Sequence, residues 1–285
     1  PIQGGAPTPV SDASPTVAAV LSEGGIVRLP ITEIPTQLNP WSSAGRDTNA
    51  ATLRGPLTTP AFTYDAAGVP SANPDLVAHV TVTGSGAQAG PTSGATCGTA
   101  PPTASSSPCP TPSSASTSAS ATDGPTVVTL TLNPDAVWAD GSPITAADWI
   151  ATFRALHSDR YQISDRQGWD RVESVRKGAT DHTVIVTFDG PEPDWTQPLA
   201  EGPARAEAVA SAAAFNGWTI ERSSWLAGPF VVADIDRTRG VLTLRQNPHW
   251  WGAKPILDTI FVRRVSSDAL AATVAAGEFD LYSPN

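Results

Sequence analysis

The chain has 285 residues, 40% of them hydrophobic, enough to build a core in one large domain or two. Its net charge of -10 and isoelectric point near 4.7 argue against nucleic acid as a partner, because no basic stripe exists to neutralise phosphates. No apolar run approaches the roughly 20 residues a membrane-spanning helix needs, and no signal-peptide pattern is visible.

In chain order, residues 1–22 are rich in Pro, Ala, Ser and Thr and carry too little apolar surface to offset the entropy of ordering, so they read as a tether. Gly25 to Thr32 reads as a strand, and Pro35 to Trp41 as a Pro-interrupted loop. Leu53 to Val82 resembles a run of a known family, named below, which implies a short helix, a turn at Gly68 and Pro70 and a further strand. Residues 84–125 are dominated by Ser, Thr, Ala, Gly and Pro and cannot build a core, which predicts an exposed low-complexity loop. Cys97 and Cys109, the only cysteines, lie within it without metal-ligand spacing. A disulfide between them is expected, implying an oxidising compartment outside the cytoplasm; two free thiols are the alternative.

The most informative stretch runs from Val127 to Leu156. Val128, Leu130 and Leu132 alternate with Thr129 and Thr131, the period of a strand with one buried face. Asp140-Gly141 and Ser142-Pro143 mark tight turns. A helix should begin after Thr145, with Asp148 completing a cap of the capping-box type, and should present Trp149, Ile150, Phe153 and Leu156 on one face. Two strands are predicted within Arg171 to Phe188, an exposed turn at Pro191 to Trp195, and an Ala-rich helix over Pro203 to Phe215. Val241 to Arg245 alternates as a strand, Asp268 to Ala276 reads as a short helix ended by Gly277, and Phe279 to Tyr282 as a last strand.

No catalytic constellation emerges. The four histidines, His79, His157, His182 and His249, are dispersed, and no nucleophile elbow or phosphate-binding glycine loop occurs. Glu192 and Asp194, flanked by prolines, read as turn residues rather than an acid/base pair. The chain is therefore read as a non-enzyme without cofactor or metal.

A strand followed by W-x-D-G-x-P-(I/V)-T-A-x-D and an amphipathic helix resembles the signature of the family 5 extracellular solute-binding proteins, the peptide- and nickel-binding receptors of ABC importers. Glu23 to Trp41 is similar to that family's first strand and loop. Trp225 to Ile260 resembles its G-x-G-P-Y … R-N-P-x-Y-W-G segment, and Ser266 to Leu281 its A-L-x-A-G-E-x-D ending. The resemblance implies an α/β fold, a periplasmic-binding-protein-like (type II, cluster C) mixed-sheet lobe on which the helix after Thr145 docks. Lobe I would comprise 23–52 and 170–285, with 53–169 an inserted subdomain and the second lobe missing after residue 285.

It also implies function: capture of oligopeptides or dipeptides for permease subunits, by a monomer on the outer face of the cytoplasmic membrane, held through an upstream lipid anchor. A nickel chelate, oligosaccharide or haem as ligand, or an envelope lipoprotein with an adhesion or assembly role, are the alternatives. Carried onto this chain, the ligand-facing residues are Ser43, Ala44, Gly45, Arg46, Tyr161, Trp225, Ala227, Gly228, Tyr282 and Ser283. Gly45 would let backbone approach ligand backbone, and Tyr161 would offer a ring face and a hydroxyl. Trp250 and Trp251 are read as core rather than as a platform.

Overall fold

The computed structural model describes residues 23–84 and 124–281. The expected tether, Cys97 and Cys109, Tyr282 and Ser283, and nearly all of the low-complexity loop lie outside them.

The chain enters with β1 (Ile26–Ile31), then α1 (Thr48–Leu57), whose first turn is capped by Asp47 accepting the Ala50 N–H at 2.9 Å. A small hairpin, β2 (Phe62–Tyr64) and β3 (Pro70–Ala72), turns at Gly68, where φ is +78°. Next come β4 (Val77–Thr83) and β5 (Val127–Leu132), which pair antiparallel with Thr83 opposite Val127. Gly84 and Pro125 touch so closely that a Cβ on Gly84 would lie 2.1 Å from the Pro125 carbonyl oxygen. The long insertion therefore leaves and re-enters one hairpin, as its slow-growing closure entropy allows.

After β5, Gly141 takes a φ of +85° in the predicted turn, and α2 (Ala146–Leu156) begins at Thr145 with both halves of the capping box formed. Asp148 is almost fully buried, and it does more than cap. Its carboxylate accepts the backbone N–H of Thr145 and of Ala206, each at 2.9 Å, and pairs with the Trp138 indole. The Trp and the last Asp of the sequence motif thus meet in one hydrogen-bonded knot. Burial pushes the Asp148 carboxyl above the usual range, and those donors pull against it.

β6 (Val172–Lys177) and β7 (Thr183–Phe188) complete a four-stranded sheet of order β4-β5-β7-β6. The alternation is as read from sequence: Val128, Leu130 and Leu132 on β5 and Val184, Val186 and Phe188 on β7 are buried. Against that face lies α2, burying Trp149 and Leu156 completely, with Ile150 and Phe153 only partly covered. Every pairing in this sheet is antiparallel, which corrects the expectation that the helix docks on a mixed sheet. β4 and β5, and β6 and β7, are sequence neighbours that pair antiparallel, and after the long connection through α2 it is β7 that lies beside β5. The sheet also runs across the 169/170 boundary drawn from sequence, since β6 and β7 lie beyond it.

The turn at 191–195 exposes Pro191, Pro193 and Asp194, as expected, but turns Glu192 and Trp195 inward. Glu192 is buried, ion-paired with Arg171 at 2.5 Å and hydrogen-bonded by the Asp194 N–H at 3.1 Å, while Trp195 packs edge-on against Phe62. It leads into α3 (Thr196–Leu199). The Ala-rich helix over Pro203 to Phe215 is also corrected: it breaks into a 3-10 turn, Ala206–Val209, and α4 (Ala212–Asn216). Asp148 holds the Ala206 N–H while Ser211 caps a new start through the Ala214 N–H, so the segment is pinned at two points.

The second sheet holds the only parallel pairing among the described residues. β8 (Phe230–Asp236), β9 (Val241–Gln246) and β10 (Thr259–Arg264) are antiparallel neighbours, and β1 adds parallel to β10, giving the order β1-β10-β9-β8. Trp251 packs toward the core and donates its indole N–H to the Asp75 carbonyl at 2.5 Å. α5 (Ser267–Ala275) follows β10 and ends at Gly277, φ +71°. Phe279 to Leu281 is not a strand, in contrast to the sequence reading. Here the Asp280 carboxylate occupies the Arg28 N–H at 2.7 Å, so a side chain takes the place of a ladder bond.

Candidate functional site

The predicted ligand-facing loop follows β1 and is folded around Asn39. This buried side chain donates to the Phe215 carbonyl and accepts the Trp41 N–H, both at 3.0 Å. Ser42 continues the turn: its hydroxyl accepts the Gly45 N–H at 3.1 Å. Gly45 is buried, and a Cβ there would sit 2.0 Å from the Asn39 carbonyl oxygen. Its missing side chain is thus required by the loop closing on itself. Its carbonyl accepts from Arg54 of α1, so both backbone polar groups of Gly45 are engaged within the chain. Ser43, Ala44 and Arg46 remain exposed on the outside of this turn.

Tyr161 and the residues after it are lashed to the same loop. Ser164 gives both its N–H and its hydroxyl to the Trp41 carbonyl, at 2.9 and 3.0 Å, and Arg46 pairs with Asp165 at 2.5 Å. The Asp165 carboxyl is held below its usual range by the Gln167 N–H and by Arg46. Tyr161 spends its hydroxyl on the Val209 carbonyl at 2.8 Å and stacks edge-on against Phe215. Arg46, Asp165 and the exposed loop tip form one continuous surface.

Trp225 and Ala227 lie elsewhere, in the wall of an aromatic pocket of about 40 Å³. Trp41, Trp138 and Trp218 share that wall, and Arg54 and Glu201 supply its charges. Trp218 stands 6.4 Å from both Trp41 and Trp225 between ring centroids, and the Arg222 guanidinium covers Trp225 at 4.5 Å. The 227–229 turn is clamped in place: Thr59 donates to the Ala227 carbonyl at 2.5 Å and Asn247 to the Gly228 carbonyl at 2.9 Å. A Cβ on Gly228 would lie 2.3 Å from the Leu57 backbone, so this glycine too is fixed by close packing. Burial pushes the Arg54 guanidinium below its ordinary range, opposed by the Glu201 charge.

The structure therefore joins Ser43–Arg46 with the Tyr161 segment, and joins Trp225 with Ala227. Arg54 connects the two groups, reaching Gly45 from a position in the pocket wall. Arg54, Glu201, Trp41 and Trp218 were not singled out by sequence reasoning. Nine tryptophans in 285 residues was the available signal, but composition does not say which of them converge. Among the described residues, no group of three or more His, Cys, Asp or Glu side chains is placed to hold a metal ion, and no helix is long and apolar enough to cross a membrane.

The comparison that decides the family is a match of residues 110–285 to the bacterial extracellular solute-binding proteins, family 5, middle region. The chain belongs to this family. The oligopeptide-binding protein OppA of Mycobacterium tuberculosis is 41% identical over 140 residues, 48% of this chain and 24% of that relative. Two solved structures share the fold. The periplasmic EDTA-binding protein EppA matches with a TM-score of 0.69 at 22% identity, covering 93% of this chain and 46% of its own. AppA from Bacillus subtilis, in complex with a nonapeptide, matches at 0.66 and 14%, covering 91% and 44%. The chain thus spans under half the length of these structures and aligns with about a quarter of the curated relative.

Proposed function

We propose that this family 5 protein is the extracytoplasmic substrate-binding component of an ABC importer and that it captures short peptides for the permease subunits. The observation that carries the reading is the family match over residues 110–285, joined to 41% identity with an oligopeptide-binding protein. The surface formed by Ser43, Ala44 and Arg46 with the Tyr161 to Asp165 segment is the proposed ligand face; Tyr282 and Ser283 are proposed as ligand residues from the family resemblance alone. The proposed ligand is an extended peptide held mainly by its backbone. Internal bonds from Asn39 and Ser42 already fix the loop, so little ordering cost remains on binding. The turn Trp225 to Gly228 supports this face from behind through Arg54.

A receptor of this kind works by binding its ligand better when closed than when open. The protein is proposed to act as a monomer on the outer face of the cytoplasmic membrane, held by a lipid anchor. Calorimetry of the full-length protein against a peptide library tests the reading. Saturable heat with peptides of a few residues is expected; no heat with any peptide, alongside binding of a metal chelate or a glycan, overturns it.

A further inference from the structure

Arg46 stands on the proposed ligand face with most of its donors unspent. Among the described residues its guanidinium makes one bond, from Nη1 to the Asp165 carboxylate at 2.5 Å, and the side chain is 38% exposed. A guanidinium carries five N–H donors, so four are left over. Asp165 is fixed in its turn. Its other carboxylate oxygen accepts the Gln167 N–H at 2.8 Å, and Ser164 ties the segment twice to the Trp41 carbonyl. Gln167 has a φ of +53°, the only non-glycine residue in the left-handed region among the described residues, and Gly168 follows at +86°. A side chain as large as glutamine rarely accepts that conformation, so the contacts around the turn hold it there. The carboxylate under Arg46 is thus built in.

We propose that Asp165 is a positioning residue that sets the specificity of this face: it orients Arg46 and cancels its charge, so that the remaining N–H donors take a main-chain carbonyl of the peptide. Acidic, neutral and basic side chains are then accepted alike. An unpaired arginine on a binding face would favour a carboxylate, taken by two parallel bonds. Here a carboxylate approaching Arg46 also meets the like charge of Asp165, and attraction and repulsion at similar distances largely cancel. A neutral carbonyl pays no such repulsion and still finds donors. The proposal rests on the ligand face described above and adds which group of the ligand Arg46 reads.

The test is calorimetry of the full-length protein at low salt with three tetrapeptides, Ala-Ala-Ala-Ala, Ala-Asp-Asp-Ala and Ala-Lys-Lys-Ala. The quantity read is the affinity ratio of the acidic to the basic peptide relative to wild type, which cancels any charge preference set elsewhere in the protein. Asp165→Asn keeps an acceptor for the Gln167 N–H but leaves the Arg46 charge uncancelled, and should raise the ratio about fivefold. Arg46→Gln uncovers Asp165 and should lower the ratio about as much, while weakening all three peptides. In the double variant the ratio should return to the wild-type value, which a merely loosened loop does not produce. Each single variant decides alone if the other does not fold. Binding to wild type with a ratio that stays unchanged in the single variants, or a double variant that keeps either shift, overturns the role of Asp165 alone. No binding of any of the three peptides to wild type overturns the ligand face together with it.

Discussion

Helices α2 and α5 both follow a strand and carry apolar residues, yet they end in opposite situations. α2 buries Trp149, Thr152 and Leu156 on the antiparallel sheet and is locked at its start by Thr145 and Asp148. By contrast α5, with Leu270 and Val274 among four alanines, has no buried residue, and Ser266 makes no side-chain cap. Apolar composition alone therefore does not decide burial; a sheet face at the right distance and a cap that fixes entry do. Most helical stability comes from packing rather than propensity, so the two helices should respond very differently to the same change.

The largest effect belongs to the core of the α2 region. Trp149→Ala should cost about 3–5 kcal/mol in urea unfolding, the range for deleting a fully buried indole. Trp149→Phe should cost much less, because it also removes an indole N–H that has no partner. Next comes Asp148→Ala, which orphans the Thr145 and Ala206 amides and should cost about 1–3 kcal/mol. Gly228→Ala, driven against the Leu57 backbone, belongs in the same about 1–3 kcal/mol range for overpacking. Leu270→Ala on α5 should cost well under the Trp149→Ala value, no more than about 1 kcal/mol, because Leu270 is only half-buried. A cost as large as that of Trp149→Ala would erase the distinction.

A pH experiment adds a smaller effect. Burial resists ionisation of Asp140, but hydrogen bonds from Ser142 and the Arg205 pair outweigh it and bring its pKa to about 2 from 3.8. A depressed carboxyl contributes its stability above the unfolded value and loses it as pH falls through the folded one. The gap in unfolding midpoint between wild type and Asp140→Asn should accordingly be full at pH above about 4 and close as pH drops toward about 2. The carboxyl is 41% exposed, so solvent screening keeps the gap small.

The same contrast explains what was legible in the sequence. Strands with one buried face, the turn at Gly141 and the Thr145 cap are set by neighbours within a few residues, and each appears where the local pattern placed it. The meeting of Trp138 with Asp148 was not read from the motif, which showed only the cap. Contacts between distant segments were not legible. The pocket brings Trp41, Arg54, Trp138, Glu201 and Trp225 together across most of the chain, and no local period records that. Pro203 to Phe215 has helical composition throughout, yet the Asp148 carboxylate and the Ser211 cap divide it, a tertiary effect overriding propensity. Phe279 to Leu281 reaches the β1 edge, the Asp280 N–H meeting the Arg28 carbonyl at 3.0 Å, but the Asp280 carboxylate takes the Arg28 N–H, so no strand ladder forms.

Hydrogen exchange of the full-length protein with and without a saturating peptide tests the account most directly. Amides of Ser42–Arg46 and Tyr161–Asp165 should gain protection on binding, while those of α2, already closed by packing, should not change. Protection appearing in α2 with the loop left unaltered would contradict the account.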